Sequence, residues 1–142
     1  MSMYKLFSTD AELENKGVYI EYGDFRVLLA RAGGHNKHFA TVLEQLTRPY
    51  RRAMQTDTMD NDLAMSLMRK AYAASVILKW EIKEDDKWVS GIEGPDGERL
   101  SFNKENVEKA LTDLPELFAD IQDQASKISL FRKDGLEKDA KN

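Results

Sequence analysis

The side chains with the clearest capacity for chemistry are two histidines and three aspartates. His35 and His38 are three residues apart and would share one face of a helix, but two ligands do not hold a metal ion without a carboxylate or thiolate close by. Asp57, Asp60 and Asp62 precede an apolar stretch, yet the glycine and the glutamate that a calcium loop requires are missing. We therefore interpret the histidines as exposed polar residues at a helix start and the aspartates as helix caps.

Other catalytic and cofactor patterns are also missing from the sequence. There is no cysteine, which excludes disulfides, zinc–thiolate sites and cysteine nucleophiles. No serine lies in a nucleophile elbow, and Gly33-Gly34 is too short for a phosphate loop, so that it predicts a tight turn instead. We predict that the protein is not an enzyme and has no catalytic residues, no cofactor and no metal site.

The sharpest charge feature is a basic run in which Arg48, Arg51 and Arg52 flank Pro49 and Tyr50. Arginine beside tyrosine suits contacts with proteins as well as with phosphates. The structural alternative is a solvated helix end, where basic residues offset the helix dipole. Three further basic residues could extend the run into a positive face around the first long helix: Arg31, Lys37 and His38.

Four methionines, Met54, Met59, Met65 and Met68, fall within fifteen residues of each other. Methionine packs adaptably and is common on surfaces that accept varied partners. Core packing explains Met65 and Met68 equally well, whereas Met54 and Met59 flank a polar turn. The predicted surface for partner binding or self-association therefore consists of six residues: Arg48, Tyr50, Arg51, Arg52, Met54 and Met59.

Composition limits the class of protein. The chain has 142 residues, 42% hydrophobic and 32% charged, which suits one globular domain with a charged surface. A net charge of −4 disfavours nucleic-acid binding, because that affinity comes mostly from neutralising phosphates. No stretch approaches the length of a membrane span, and the N-terminus lacks the apolar core of a signal peptide. We expect a cytoplasmic protein with no membrane contact.

The elements that position these residues begin with a hairpin. Residues 17–22 and 25–31 alternate as strands around the turn Gly23-Asp24. Asn36 is the predicted N-cap of a helix that Pro49 must kink or end, with a second helical piece to Gln55. A long helix is predicted to start within 56–62 and to run to about Trp80 as the centre of the core, because apolar residues cover two of its faces.

A second hairpin is predicted around the turn 94–97, with strands at 88–92 and 99–102. Asn103 should cap the next helix, and Pro115 suits the first turn of a last helix that carries apolar residues as far as Phe131. The predicted fold class is α+β, mainly α-helical, with an N-terminal β-hairpin, about four helices and a second small hairpin before the C-terminal helices. We predict one domain at 1–132 and a flexible polar tail at 133–142. Whether the hairpins share one sheet stays open.

The order of these elements resembles the tail assembly chaperones of long-tailed siphophages and their prophages. The resemblance covers the chain from about Lys16 to Phe131 and is carried by an ordered set of short segments: 17–24, 30–36 with Phe39, 48–52, 76–81, 103–107 and 114–121. It implies a non-enzymatic protein that binds the tape measure protein, keeps it soluble and helps to recruit tail tube subunits. Such proteins act in the host bacterial cytoplasm and leave before the virion is complete.

The resemblance also implies self-association, often into rings or spirals around the client. In many relatives, ribosomal frameshifting produces a longer form whose C-terminal extension recruits the tail tube protein, and the polar tail at 133–142 is where such an extension would join. Two alternatives stay open: a nucleic-acid-binding phage regulator that uses the Arg48–Arg52 basic cluster, and a small enzyme of an unrecognised type. Strong salt dependence of DNA or RNA binding would distinguish the regulator.

Overall fold

The computed structural model describes residues 2–132, and the predicted tail at 133–142 lies outside the described residues. Within that range the fold is α+β and mainly α-helical, which confirms the predicted fold class. The N-terminal hairpin is present, but the second predicted hairpin is shorter than expected, because residues 88–90 pair with an earlier strand and only 92–93 and 99–100 pair around the turn. The helices are α1 Met3–Phe7, α2 Ala11–Lys16, α3 Lys37–Thr47, α4 Arg51–Gln55, α5 Asn61–Ser75, α6 Lys104–Asp113 and α7 Pro115–Ser126. The strands are β1 Val18–Glu21, β2 Phe25–Leu29, β3 Ile77–Glu84, β4 Lys87–Ser90, β5 Ile92–Glu93 and β6 Arg99–Leu100.

One antiparallel sheet joins the N-terminal hairpin to a later one, in the order β1-β2-β3-β4, while β5 and β6 form a separate pair. Val27 pairs with Trp80, and Ile82 pairs with Val89, so that alternate side chains of the middle strands face one side. That side is the core face. The sequence left open whether the hairpins share one sheet. The N-terminal hairpin lies in the four-stranded sheet, and the hairpin around the turn 94–97 forms a separate, two-stranded sheet.

The prediction that the long helix runs to about Trp80 is wrong, because α5 ends at Ser75 and β3 begins at Ile77. The last helical carbonyls have partners outside the helix. Asn36 donates a side-chain hydrogen bond to the Ser75 carbonyl, and the Ala30 amide donates to the Val76 carbonyl. Pairing with β2 satisfies the backbone of the following residues, and it gives β2 a second partner that a continued helix could not have supplied.

The main core lies between the sheet and the helices α5, α6 and α7. Val27 and Trp80 contribute from the sheet, and Tyr72, Leu111 and Phe118 contribute from the three helices. Tyr72 and Phe118 meet edge-to-face, with ring centroids 5.2 Å apart. Complete burial of each such large apolar side chain contributes about 1.5–3 kcal/mol, so this cluster dominates the stability of the domain.

The predicted helix starts are largely confirmed. Asn36, Asp60 and Asn103 each accept a backbone hydrogen bond as the N-cap of α3, α5 and α6, respectively. Pro115 is the first residue of α7. That helix ends at Ser126 rather than near Phe131, and a short 3₁₀ turn at Ile128–Leu130 follows, although Phe131 is fully buried.

A buried carboxylate ties the N-terminal elements together. Glu14 of α2 accepts hydrogen bonds from Arg31 Nη1 at 2.7 Å and from the His35 amide at 2.6 Å, and the His35 ring Nδ1 lies 2.7 Å away. A Cβ at Gly34 would meet the Glu14 carboxylate at 2.8 Å, and the φ of +56° also favours glycine there. We call Glu14, Arg31 and His35 the Glu14 cluster.

The Glu14 cluster changes two interpretations of the sequence. His35 is more than an exposed polar residue at a helix start, because its backbone and its ring both contact the buried carboxylate. Arg31 does not extend the positive face around α3, since its side chain is only 18% exposed and its guanidinium is paired with Glu14.

Candidate functional site

The predicted contact residues lie on a helical rod that runs from Lys37 to Gln55. Its parts are α3, a 3₁₀ turn at Arg48–Tyr50 and α4. Pro49 sits in the first positions of the 3₁₀ turn, where its missing N–H leaves no hydrogen bond unmade. The α-helix ends at Thr47, just before the proline, which fits the prediction of a kink or an end, and the predicted second helical piece to Gln55 follows as α4.

This rod packs on α5. Phe39, near the start of α3, meets Tyr72, near the end of α5, edge-to-face at 5.6 Å, so that the two helices run antiparallel. The turn between α4 and α5 includes Met59 and is closed by backbone hydrogen bonds such as the one from Thr58 to Ala53. A groove runs along the line where the two helices meet.

This groove is open, with a volume of about 520 Å³ and a mainly apolar lining, and we call it the α3–α5 groove. Leu43 and Met68 line its middle, and Met54 and Met59 line the end next to the α4–α5 turn. Met54 is 51% exposed, and the small side chains of Ala40 and Ala64 are exposed as well. Exposed apolar area costs about 25 cal/mol per Å², so such a surface gains free energy when a partner covers it.

The charged member of this lining, Glu44, holds two arginines of the same rod. Its carboxylate accepts from Arg48 Nη2 at 2.6 Å and Nε at 3.2 Å, and from Arg51 Nη2 at 3.1 Å. The hydrogen bond from Arg48 lowers the pKa of Glu44, and Glu44 in turn raises the pKa of Arg48. We call Glu44, Arg48 and Arg51 the Glu44 clasp. A second hollow of about 310 Å³ beside it shares Glu44 and Met54 with the groove.

The structure brings some of the predicted contact residues together and separates others. Met54 and Met59 line the α3–α5 groove, and Arg48 and Arg51 meet on Glu44 at its edge. Tyr50 is half-buried in the 3₁₀ turn and does not line the groove.

Arg52 is exposed on the neighbouring surface and does not line the groove either. Lys37 and His38 are exposed at the start of α3, away from the Met54 end.

Sequence reasoning missed Glu44 and the helix faces that form the groove. The spacing of four residues between Glu44 and Arg48 was an available signal, because residues i and i+4 are neighbours on a helix surface. Ala40, Leu43 and Ala64 gave no signal of their own, since the groove depends on how two helices pack.

The face of the sheet opposite the core carries charged side chains that are paired with each other. The Arg26 guanidinium lies 3.8 Å from the centre of the Tyr19 ring and 4.5 Å from that of Trp88, and it pairs with the buried Glu81. Burial would raise the pKa of Glu81, but hydrogen bonds from Arg26 and Lys79 outweigh it and lower the pKa. The guanidinium contacts two aromatic rings and a buried carboxylate from the three other strands of the sheet, so this patch stabilises the sheet.

Within residues 2–132, no three histidine, aspartate or glutamate side chains are grouped so that they could hold a metal ion. The helices of this part of the chain include none with the length and apolar character needed to cross a bilayer.

Residues 34–142 match the family described as YdaY prophage protein. The chain belongs to the YdaY prophage protein family. The match begins at Gly34, so the YdaY region includes α3, α4 and α5, with the groove between them, whereas β1 and β2 precede it. No curated protein and no solved structure matches the chain. The prediction of a prophage protein is confirmed, and the narrower prediction of a tail assembly chaperone stays a prediction.

Proposed function

We propose that this YdaY-family protein is a non-enzymatic tail assembly chaperone that binds the prophage's tape measure protein and keeps it soluble in the host bacterial cytoplasm. The observation that carries the proposal is the α3–α5 groove. It is open and apolar, and methionines line one end, which is the surface that an amphipathic helix requires. Tape measure proteins are long and helical, so they offer many such segments.

The rest of the proposal follows from the resemblance to tail assembly chaperones. The protein self-associates, helps to recruit tail tube subunits, mainly through a C-terminally extended form, and is absent from the mature virion. Membrane contact and cofactors have no part in this function.

The competing function is nucleic-acid binding through the Arg48–Arg52 basic cluster. Two features disfavour it: the net charge of −4, and Glu44, which already accepts hydrogen bonds from Arg48 and Arg51. Each arginine on Glu44 has part of its charge offset before any phosphate arrives. The proposal therefore excludes specific binding of DNA or RNA.

Co-expression with the prophage's own tape measure protein tests the proposed function. We expect the tape measure protein to become soluble and to co-purify with the chain. Replacement of Ala40 by phenylalanine fills the groove from α3 and should reduce the recovered complex at least about tenfold, as is typical when the centre of an interface is blocked.

The matched control is Thr41→Phe, which adds a phenylalanine at the next residue of the same helix, outside the groove. It should leave the complex intact, and both variants should keep the far-ultraviolet circular dichroism spectrum of the parent. A tape measure protein that stays insoluble beside the parent chain, or DNA retardation that weakens steeply with salt, would overturn the proposal.

A further inference from the structure

The Glu44 clasp has donors that its own carboxylate does not use. A guanidinium has five N–H groups. Arg48 gives Glu44 its Nε and Nη2, and Arg51 gives it one Nη2. Within residues 2–132, Arg48 Nη1 and Arg51 Nε and Nη1 have no hydrogen-bond partner, and about two thirds of each arginine side chain is exposed, 63% and 64%. Arg51 lines the second hollow, which shares Glu44 and Met54 with the groove, and Arg48 is held beside it by Glu44.

The charges of the clasp do not balance. One carboxylate faces two guanidiniums, and Arg52 adds a further positive charge next to them. The part of the Met54 end that carries Arg51 is therefore complementary to an acidic group on a bound partner, whereas the α4–α5 turn that follows carries the exposed Asp57 and Asp60. Arginine binds carboxylates in a planar, two-pronged geometry, which makes an acidic side chain the best-fitting ligand for the unused donors.

The backbone of the occupant is constrained by the lining. Leu43, Leu67 and Met68 offer no hydrogen bonds to a peptide backbone. An extended segment on this floor would leave its N–H and C=O groups without partners, whereas a helix satisfies them internally. The small side chains of Ala40 and Ala64 also let a third helix come close to α3 and α5.

We propose that the α3–α5 groove selects amphipathic helices that carry an acidic side chain at the Met54 end, and that Glu44 is a built-in competitor which this side chain displaces from Arg48 and Arg51. The inference rests on the proposed function, because it names the segment of the client that is bound. Glu44 keeps the two arginines oriented and partly neutralised until such a segment arrives. Basic and neutral apolar helices are bound less well.

Labelled synthetic helices test this selectivity directly. We would use three fluorescent peptides of one design, with leucines at helical spacing along one face and with glutamate, glutamine or lysine at a single position near one end. Exposed charge pairs change affinity by small factors, so the parent chain should bind the glutamate peptide about threefold more tightly than the glutamine peptide. The lysine peptide should bind most weakly, as measured by fluorescence anisotropy.

Two variants test the role of Glu44 and the role of its two arginines separately. Glu44→Gln removes the internal carboxylate and should widen the preference for the glutamate peptide to about tenfold. The double variant Arg48→Gln/Arg51→Gln should bind all three peptides equally. The matched control, Lys104→Gln/Lys127→Gln, removes the same two positive charges at exposed positions far along the chain and should keep the parent's preference.

Several results would overturn the inference. These are equal affinity of the parent chain and the Glu44→Gln variant for all peptides, a preference that survives in the double arginine variant, and no binding of any peptide. Conversion of an oligomeric parent into a monomer by Ala40→Phe would assign the groove to a second copy and would also overturn it. If the chain binds the tape measure protein but shows no charge selectivity for the peptides, the proposed chaperone function stands and this inference fails. If the peptides show charge selectivity but no tape measure complex forms, only this inference stands.

Discussion

Glu14 and Glu44 each hold a pair of basic groups at hydrogen-bond distance, and they differ in burial. Glu14 is fully buried and joins α2 to the end of β2 and to the start of α3. Glu44 is half exposed, and both of its arginines belong to the same rod. The contacts are similar in length, so length alone does not separate a structural charge cluster from one that can exchange partners. The elements that each cluster connects make the difference.

The electrostatics of the two carboxylates follow from this. Burial alone would raise the pKa of Glu14, but hydrogen bonds from Thr9, the His35 amide, Arg31 and the His35 ring outweigh it and lower the pKa to about 2. Removing one of these donors leaves a buried charge with fewer hydrogen bonds and no water to replace the lost one. At the exposed Glu44, water replaces a lost partner, so the loss of one partner has little effect on the stability of the fold.

The largest effect is expected for Glu14→Gln. An amide offers one acceptor oxygen and turns an NH₂ group toward donors, so the free energy of unfolding should fall by about 3 kcal/mol. Chemical denaturation measures the change. Glu12→Gln, on the same short helix but exposed, is the control and should leave the denaturation midpoint in place. Equal midpoints for the two variants would remove the distinction between the clusters.

The stability of the protein at low pH should also depend on the buried Glu14 carboxylate. The folded pKa of Glu14 lies below its ordinary value of 4.5, so its stabilisation is fully present above about pH 4.5 and is lost as the pH falls toward 2. The free energy of unfolding of the parent should decrease over that interval. The Glu14→Gln variant should decrease less steeply, and a parallel pH profile would contradict the assigned pKa.

An intermediate effect is expected where one neutral donor meets a carboxylate. The Tyr22 hydroxyl donates to Asp120 at 2.6 Å and links the N-terminal hairpin to α7. Burial and this hydrogen bond raise the pKa of the Tyr22 phenol. Tyr22→Phe should lower the free energy of unfolding by about 1 kcal/mol in urea titrations. Tyr4→Phe, at a largely exposed tyrosine, should have no effect, and a similar loss there would point to a general effect of hydroxyl removal.

The smallest effect on stability is expected for Glu44→Gln. Both ion pairs are exposed to solvent, so thermal melting should shift by no more than about 2 °C. A shift as large as that of Glu14→Gln would show that the clasp holds the rod together and is not free to exchange partners.

Sequence patterns predicted the local features of the fold. The caps at Asn36, Asp60 and Asn103 and the proline positions depend on neighbouring residues, and the structure has them. The end of α5 depends on a distant partner. Residues 76–80 suit both a helix and a strand, and β2 decides the matter by pairing with β3.

The candidate site was only partly predictable for a related reason. Met54 and Met59 stand out by type and position, and the structure places both in the groove. Glu44, Leu43 and Ala64 are ordinary helix residues, and their grouping follows from the antiparallel packing of α3 on α5. Buried Glu14 could not be separated by type from the exposed Glu12 beside it, because burial is a property of the assembled fold.

The pairing of β2 with β3 also sets the order in which the protein can fold during its synthesis. Leu29 pairs with Ile77, and the whole of α3, α4 and α5 lies between these residues. Ribosomes add about 5–20 residues per second, so the first hairpin emerges seconds before its sheet partner. The β2–β3 contact must close a long loop. Every residue that lines the groove, from Gly33 to Met68, therefore leaves the ribosome before β3 does, and β2 lacks this sheet partner until residues 77–84 have been synthesised.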